Sequence, residues 1–282
     1  MIKIFEVPIS LDLKEFAEFL WQHEIPHRII EDEETQALWV PRHVNAERVA
    51  FIYEQWRKGA NLTDIKVQRP LHQRMNPLDF PWTISLIIIS AVITFAIGFG
   101  SQNELMRWLT ITDFRIDGQK LIYTHLFESI RSFELWRFVT PIFMHFNMPH
   151  ILFNSLWVWV IGRRIEQLQG GSVFFVVILW ASVVSNIAQF WISGPMFGGM
   201  SGVVYAVLAY TWLWDKQARI PFFGFPPALM IFMVFWLILG YTGLLEAVGF
   251  GAIANTAHLA GLIAGLLAVP LVRMIFKREA SL

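Results

Sequence analysis

The sequence predicts an all-α polytopic membrane bundle of six transmembrane helices, preceded by a small α+β cytosolic N-terminal domain. Two observations lead there first. Hydrophobic residues make up 55% of the 282 positions and charged residues only 16%, with a mean hydropathy of +0.50, which is too apolar for an ordinary soluble domain. The composition also changes abruptly at Pro81, after which long apolar runs alternate with short polar or Gly/Pro-containing breaks.

Residues 1–60 read as a soluble unit of order β-α-β-β-α. The apolar run Ile2–Val7 predicts a strand, Phe16, Phe19 and Leu20 recur at helical spacing, and His27–Ile30 and Ala37–Val40 read as short strands. Asn45 is placed to cap a second helix with Val49, Ile52 and Trp56 on one face. Residues 61–80 lack a sustained apolar face and hold Pro70, Pro77, Lys66, Arg69 and Arg74, as expected of a linker.

The membrane domain is expected over residues 81–282. Its first apolar run, Trp82–Gly98, approaches the ~30 Å hydrocarbon thickness at 1.5 Å per residue. Residues 101–140 mix charges with Trp108, Phe114, Tyr123, Phe127, Phe133 and Trp136, which suits a long loop resting in the interface. Further spans are expected at 146–162, 172–193, 202–214, 227–247 and 254–272. Arg163 and Arg164 follow the second, Lys216 and Arg219 the fourth, and Arg273, Lys277 and Arg278 the sixth, while the third-to-fourth and fifth-to-sixth turns hold no Lys or Arg. The positive-inside rule then puts both termini in the cytoplasm. The first 15 residues have neither a basic start nor an apolar core, so no secretory signal is expected there.

Composition also excludes chemistries. Lys+Arg 22 balances Asp+Glu 22, so no net field recruits nucleic acid, and the absence of cysteine removes thiol catalysis, disulfides and thiolate metal sites. His23-Glu24-Ile25-Pro26-His27 matches the H-E-x-x-H zinc signature literally, but Pro26 would break the helix that must carry both histidines on one face.

The fourth span carries the chemistry. Gly202–Trp214 is too short to cross a bilayer, so its start must be sunk, and Ser193-Gly-Pro-Met-Phe-Gly-Gly-Met200 must descend to membrane depth, which is tolerated only where protein or a water-filled cavity surrounds it. Ser201 opens that helix next to unpaired backbone N–H groups, where an oxyanion could develop; a plain N-cap serine would have the same position. His258 lies on the last span in Ala257-His258-Leu-Ala-Gly261-Leu-Ile-Ala-Gly265, whose small residues allow close backbone approach to Gly202 and Ala206. Ser201 stands 14 residues before Asp215 and His258 stands 15 before Arg273, about 21 and 22 Å of helix, so the two match in depth. Buried packing is the alternative use of such a histidine. His150 and Asn154, four residues apart on the second span, face one target at a similar depth and could donate to an oxyanion or hydrogen-bond a neighbouring helix. His145, about 140° from His150 around a helix, is assigned a structural role.

Taken together, Trp136-Arg137, His145-x4-His150-x3-Asn154, Gly199-Met200-Ser201-Gly202 and Ala257-His258-x2-Gly261-x3-Gly265 resemble the rhomboid family of intramembrane serine proteases. Gly162-x3-Glu166-x3-Gly170 resembles the family's pattern at the end of the second span, with Glu166 expected to engage neighbouring helices. The resemblance covers essentially the whole chain. It implies a rhomboid-like bundle in the cell inner membrane and a serine endopeptidase that cuts single-pass transmembrane proteins without metal or organic cofactor. It also implies that Ser201 is the nucleophile and His258 the general base, with the Ser201 N–H, His150 and Asn154 as oxyanion donors. Gly199, Gly202, Gly261 and Tyr205 would support them, Tyr205 beside the histidine, and Phe153 and Trp236 would belong to a lateral gate. Membrane lipid and transmembrane substrates are the expected partners, and homodimerisation is compatible with the N-terminal domain. A non-proteolytic rhomboid-like client binder is the rival reading, and the intact serine and histidine argue against it.

Overall fold

A computed structural model describes residues 2–41, 44–62, 65, 77–101, 103–118, 120–218, 221–247 and 253–276. Lys66, Arg69, Pro70, Arg74, Arg219, Lys277 and Arg278 lie outside the described residues. The chain divides into two compact units, Met1–Asn76 and Pro77–Leu282.

The first unit has the expected order: β1 (Ile2–Pro8), α1 (Lys14–Gln22), β2 (Arg28–Glu31), β3 (Thr35–Val40) and α2 (Ala46–Arg57). Its sheet is antiparallel with β3 in the centre. Phe16, Phe19 and Leu20 of α1 meet Leu38 and Val40 of β3 and Val49, Ile52 and Tyr53 of α2 in one apolar cluster. Trp56 stacks on Phe16 at 5.4 Å. Each such fully buried side chain contributes about 1.5–3 kcal/mol of hydrophobic free energy. Asn45 caps α2 as its side-chain oxygen accepts the Arg48 N–H at 2.9 Å. Leu62 and Ile65 join the same cluster, so its packing runs past residue 60. The H-E-x-x-H stretch is not helical: α1 stops at Gln22 and Glu24 adopts φ +54°, so His23 and His27 share no helix face.

In the second unit, α3 (Pro81–Ala96) is followed by α4 (Asn103–Leu109), a hairpin of β4 (Phe114–Asp117) and β5 (Lys120–Tyr123), and α5 (Leu126–Arg131). Then α6 (Met148–Trp157) passes through a π-turn at Val158–Gly162 into α7 (Arg163–Gln169). After these come α8 (Gly171–Ser193), α9 (Ser201–Lys216), α10 (Pro227–Tyr241), α11 (Leu244–Ala247) and α12 (Asn255–Phe276). Helices therefore occupy all six apolar runs. Among them α8 and α12 are long and apolar enough to cross a membrane, whereas α3 and α10 are apolar but shorter. The fifth run, expected to continue to 247, breaks after Tyr241 because Gly243 takes φ +75° and the Thr242 hydroxyl oxygen accepts the Leu244 N–H. Pro270 lies inside α12 without ending it, as helices packed in a membrane protein tolerate.

Two polar devices fix the frame around the site. The loop 101–140 is anchored by Arg137, which is 2% exposed and donates to the carbonyl oxygens of Arg107 and Thr110 while pairing with Glu134 at 2.6 Å. In the same loop, burial opposes the charge of Asp113. Bonds from the Arg107 guanidinium and the Phe114 amide outweigh that and hold its carboxyl below the usual carboxylate range.

The second device is Glu166 of α7, whose carboxylate accepts the backbone N–H groups of Trp82 and Thr83, both at 2.9 Å, and the Thr83 hydroxyl at 2.7 Å. It thereby satisfies orphan donors in the first turn of α3 and meets the positive end of its dipole. Glu166→Ala leaves these donors buried without partners, so it is expected to destabilise the membrane unit by about 2–4 kcal/mol. Thermal unfolding in detergent should show the loss, and an unchanged midpoint would refute this capping role.

Candidate active site

The segment before α9 is held through its own backbone N–H groups. The Gly199 N–H donates to the Pro141 carbonyl at 3.0 Å, and the Met200 N–H approaches His145 Nε2 at 3.4 Å. Glycine is required twice here. A Cβ on Gly198 would lie 2.8 Å from the Met144 carbonyl oxygen, and one on Gly199, at φ +121°, would lie 2.6 Å from the His150 ring and 3.6 Å from Asn154 Nδ2. The turn delivers Ser201 as the first residue of α9.

Close contact between α9 and α12 brings the histidine to it. A Cβ on Gly202 would lie 2.8 Å from Ser185 and 3.1 Å from the Ala257 carbonyl. On the facing helix, Cβ atoms on Gly261 and Gly265 would run into the backbones of Gly202 and Ala206. With glycine at these positions the two backbones touch, as small-residue faces allow. Helix α8 adds two hydrogen bonds along α12, two turns apart: Gln189 Oε1 accepts the Ala257 N–H at 2.9 Å, and Trp180 Nε1 donates to the Ala264 carbonyl at 3.0 Å.

The result is a direct hydrogen bond between Ser201 Oγ and His258 Nε2 at 2.7 Å. Among the described residues, Nδ1 is buried without a hydrogen-bond partner. Tyr205, one turn after Ser201, stacks on the imidazole with ring centres 4.8 Å apart and planes at 26°. His150 and Asn154 stand on α6, which Asn147 caps by accepting the His150 N–H at 2.8 Å. Asn154 is 4% exposed, and its Nδ2 likewise has no partner among the described residues.

A cavity of about 750 Å³ joins these groups, lined by Ser201, His258, His150, Asn154 and Tyr205, with Phe153 and Trp236 at its wall. Those last two rings stack at 6.4 Å and 14°. His145 stays outside the cavity lining, fully buried beside Thr94 and the Phe143 carbonyl, in keeping with a structural role. The residues that sequence reasoning missed are Gln189, Ser185 and Trp180 of α8. Their only sequence signal is polarity within an apolar run, a feature shared with any helix-to-helix hydrogen bond.

Comparison with known proteins gives the same frame. Residues 132–275 match the family model described as Rhomboid domain, and residues 1–66 match the one described as Rhomboid N-terminal domain. The chain is 34% identical over 222 residues to the Rhomboid protease GlpG of Pectobacterium atrosepticum, covering 77% of this chain and 72% of that one. It is 29% identical over 286 residues to the protein of that name from Serratia proteamaculans, covering 95% of each. With that of Yersinia pestis it shares 30% identity over 267 residues, covering 89% of this chain and 90% of the other. A mostly helical membrane unit behind a separate N-terminal unit, matched in sequence along both, has one reading: the chain belongs to the rhomboid family.

Proposed function

We infer that Ser201 and His258 are the catalytic dyad of this protein, an intramembrane serine protease. The single observation that carries the assignment is the 2.7 Å bond between Ser201 Oγ and His258 Nε2 at the start of the 16-residue α9. In this reading α3, α6–α7, α8, α9, α10 and α12 are the six helices of the inner-membrane bundle and both termini face the cytoplasm. The 16 residues of α9 measure about 24 Å, less than the hydrocarbon core, which leaves Ser201 below the outer surface.

The chemistry follows from the atoms present. His258 Nε2 takes the Ser201 hydroxyl proton as Oγ attacks the substrate carbonyl carbon. The carbonyl oxygen becomes an oxyanion that accepts from the Ser201 N–H, His150 and Asn154 Nδ2. His258 then gives its proton to the leaving amine nitrogen as the peptide C–N bond breaks, leaving an acyl-enzyme on Oγ. Water attacks that ester with His258 again as base, releasing the new carboxyl end. Tyr205 keeps the ring in one plane through both proton transfers.

Substrates of this reading are single-pass transmembrane proteins, which would reach the dyad between α6 and α10, where Phe153 and Trp236 meet. Purified protein in liposomes, given a labelled single-pass substrate and a fluorophosphonate probe, tests both parts. Cleavage and covalent modification of Ser201 are expected, and a protein that does neither is no protease. Asn154→Ala is expected to lower kcat about 10²-fold with little change in KM, the usual cost of one oxyanion donor. An unchanged kcat would remove Asn154 from the oxyanion site.

A further inference from the structure

Helix α10 forms one wall of the cavity through Phe232, Met233 and Trp236, yet it buries only Met233, Leu237 and Gly240, a single stripe at i, i+4 and i+7. Two side chains from the catalytic helices reach backbone carbonyls on that stripe. The Tyr205 hydroxyl on α9 donates to the Met233 carbonyl at 3.0 Å, and Asn255 Nδ2 on α12 donates to the Gly240 carbonyl at 2.9 Å. The Gly240 carbonyl belongs to the last turn of α10, where the helix itself offers no partner, so Asn255 completes that helix end from outside. Gly240 is matched to the contact, because a Cβ there would meet Asn255 Oδ1.

We propose that Asn255 is a positioning residue that holds the end of α10 against α12 and so governs how readily a substrate segment reaches Ser201. The inference rests on the protease reading above. Its direction follows from what else holds each partner. His258 keeps the Ser201 bond, the Tyr205 stack and the Gln189 clamp on the adjacent Ala257 N–H, so it stays in place without Asn255. Among the described residues no other side chain from a neighbouring helix hydrogen-bonds the far end of α10, and the Tyr205 bond lies two turns back.

The test uses the full chain in liposomes with a labelled single-pass substrate, a fluorophosphonate probe and thermal unfolding. Asn255→Ala removes the donor, and Gly240→Ala pushes the same amide away from the opposite side. Each is expected to raise kcat/KM for the helical substrate about fivefold, in line with one hydrogen bond lost from the closed state. Ser201 labelling should stay within about twofold of the parent, and the double variant should gain no more than either single one. The proposal is overturned if neither variant changes kcat/KM, if the effects add, or if labelling falls in step with cleavage. A parent protein that neither cleaves nor labels overturns the protease reading, and this inference with it.

Discussion

Ser201→Ala is expected to abolish cleavage of a single-pass substrate, with kcat falling by about 10⁴-fold or more, because the variant has no nucleophile for the acyl-enzyme step. The fold should survive. The Ser201 side chain bonds within the described structure to His258 Nε2, and removing one hydroxyl leaves the glycine contacts of α9 and α12 intact. His258→Ala should cost a similar factor, and the two losses should not add, since either change removes the same proton transfer. Gel-resolved cleavage in liposomes, with thermal unfolding to show that both variants are folded, is the measurement. Retained cleavage in Ser201→Ala would sink the dyad, and equal inactivity of parent and variant would favour a client-binding membrane protein without protease activity.

The second large effect is steric. A Cβ on Gly261 would lie 2.7 Å from the carbonyl carbon and 2.9 Å from the Cα of Gly202, backbone atoms that cannot rotate away. Gly261→Val must therefore move α12 off α9, and the 2.7 Å bond between His258 and Ser201 cannot survive a separation of that size. Activity should drop on the order of 10³-fold and stability by about 3–5 kcal/mol, as for overpacking against rigid neighbours. Gly261→Ala should lie between parent and valine in both respects. Ser201 labelling rate and unfolding midpoint measure the pair. Normal labelling in Gly261→Val would show that the two backbones do not need this contact.

Most of the frame was legible because hydrocarbon leaves a buried backbone few options. Each apolar run must close its own hydrogen bonds, so α3, α8, α9 and α12 follow their runs closely. The N-terminal elements were legible for a related local reason, since Asn45 and the spacing of Phe16, Phe19 and Leu20 act within a few residues of themselves. The region 101–140 was read only as an interfacial loop. Its two helices of six and seven residues and its four-residue strands are too short to announce themselves, and Arg137 holds the surrounding backbone through the carbonyls of Arg107 and Thr110, about 30 residues away in sequence.

The amino-acid order alone determined which groups could react: one serine opening a short helix, one histidine at matching depth on the last, and two polar residues one turn apart on the second span. Which of them meet was decided by tertiary packing. A hydrogen bond of 2.7 Å depends on the crossing of α9 and α12 over Gly202, Gly261 and Gly265, and on α8 clamping Ala257. The tie from Asn255 to Gly240 is likewise invisible along the chain, because an asparagine has the same local signature whether it caps a distant helix or faces lipid headgroups. Side-chain identity is a local property, whereas distances between helices are set by the atoms that stop their approach.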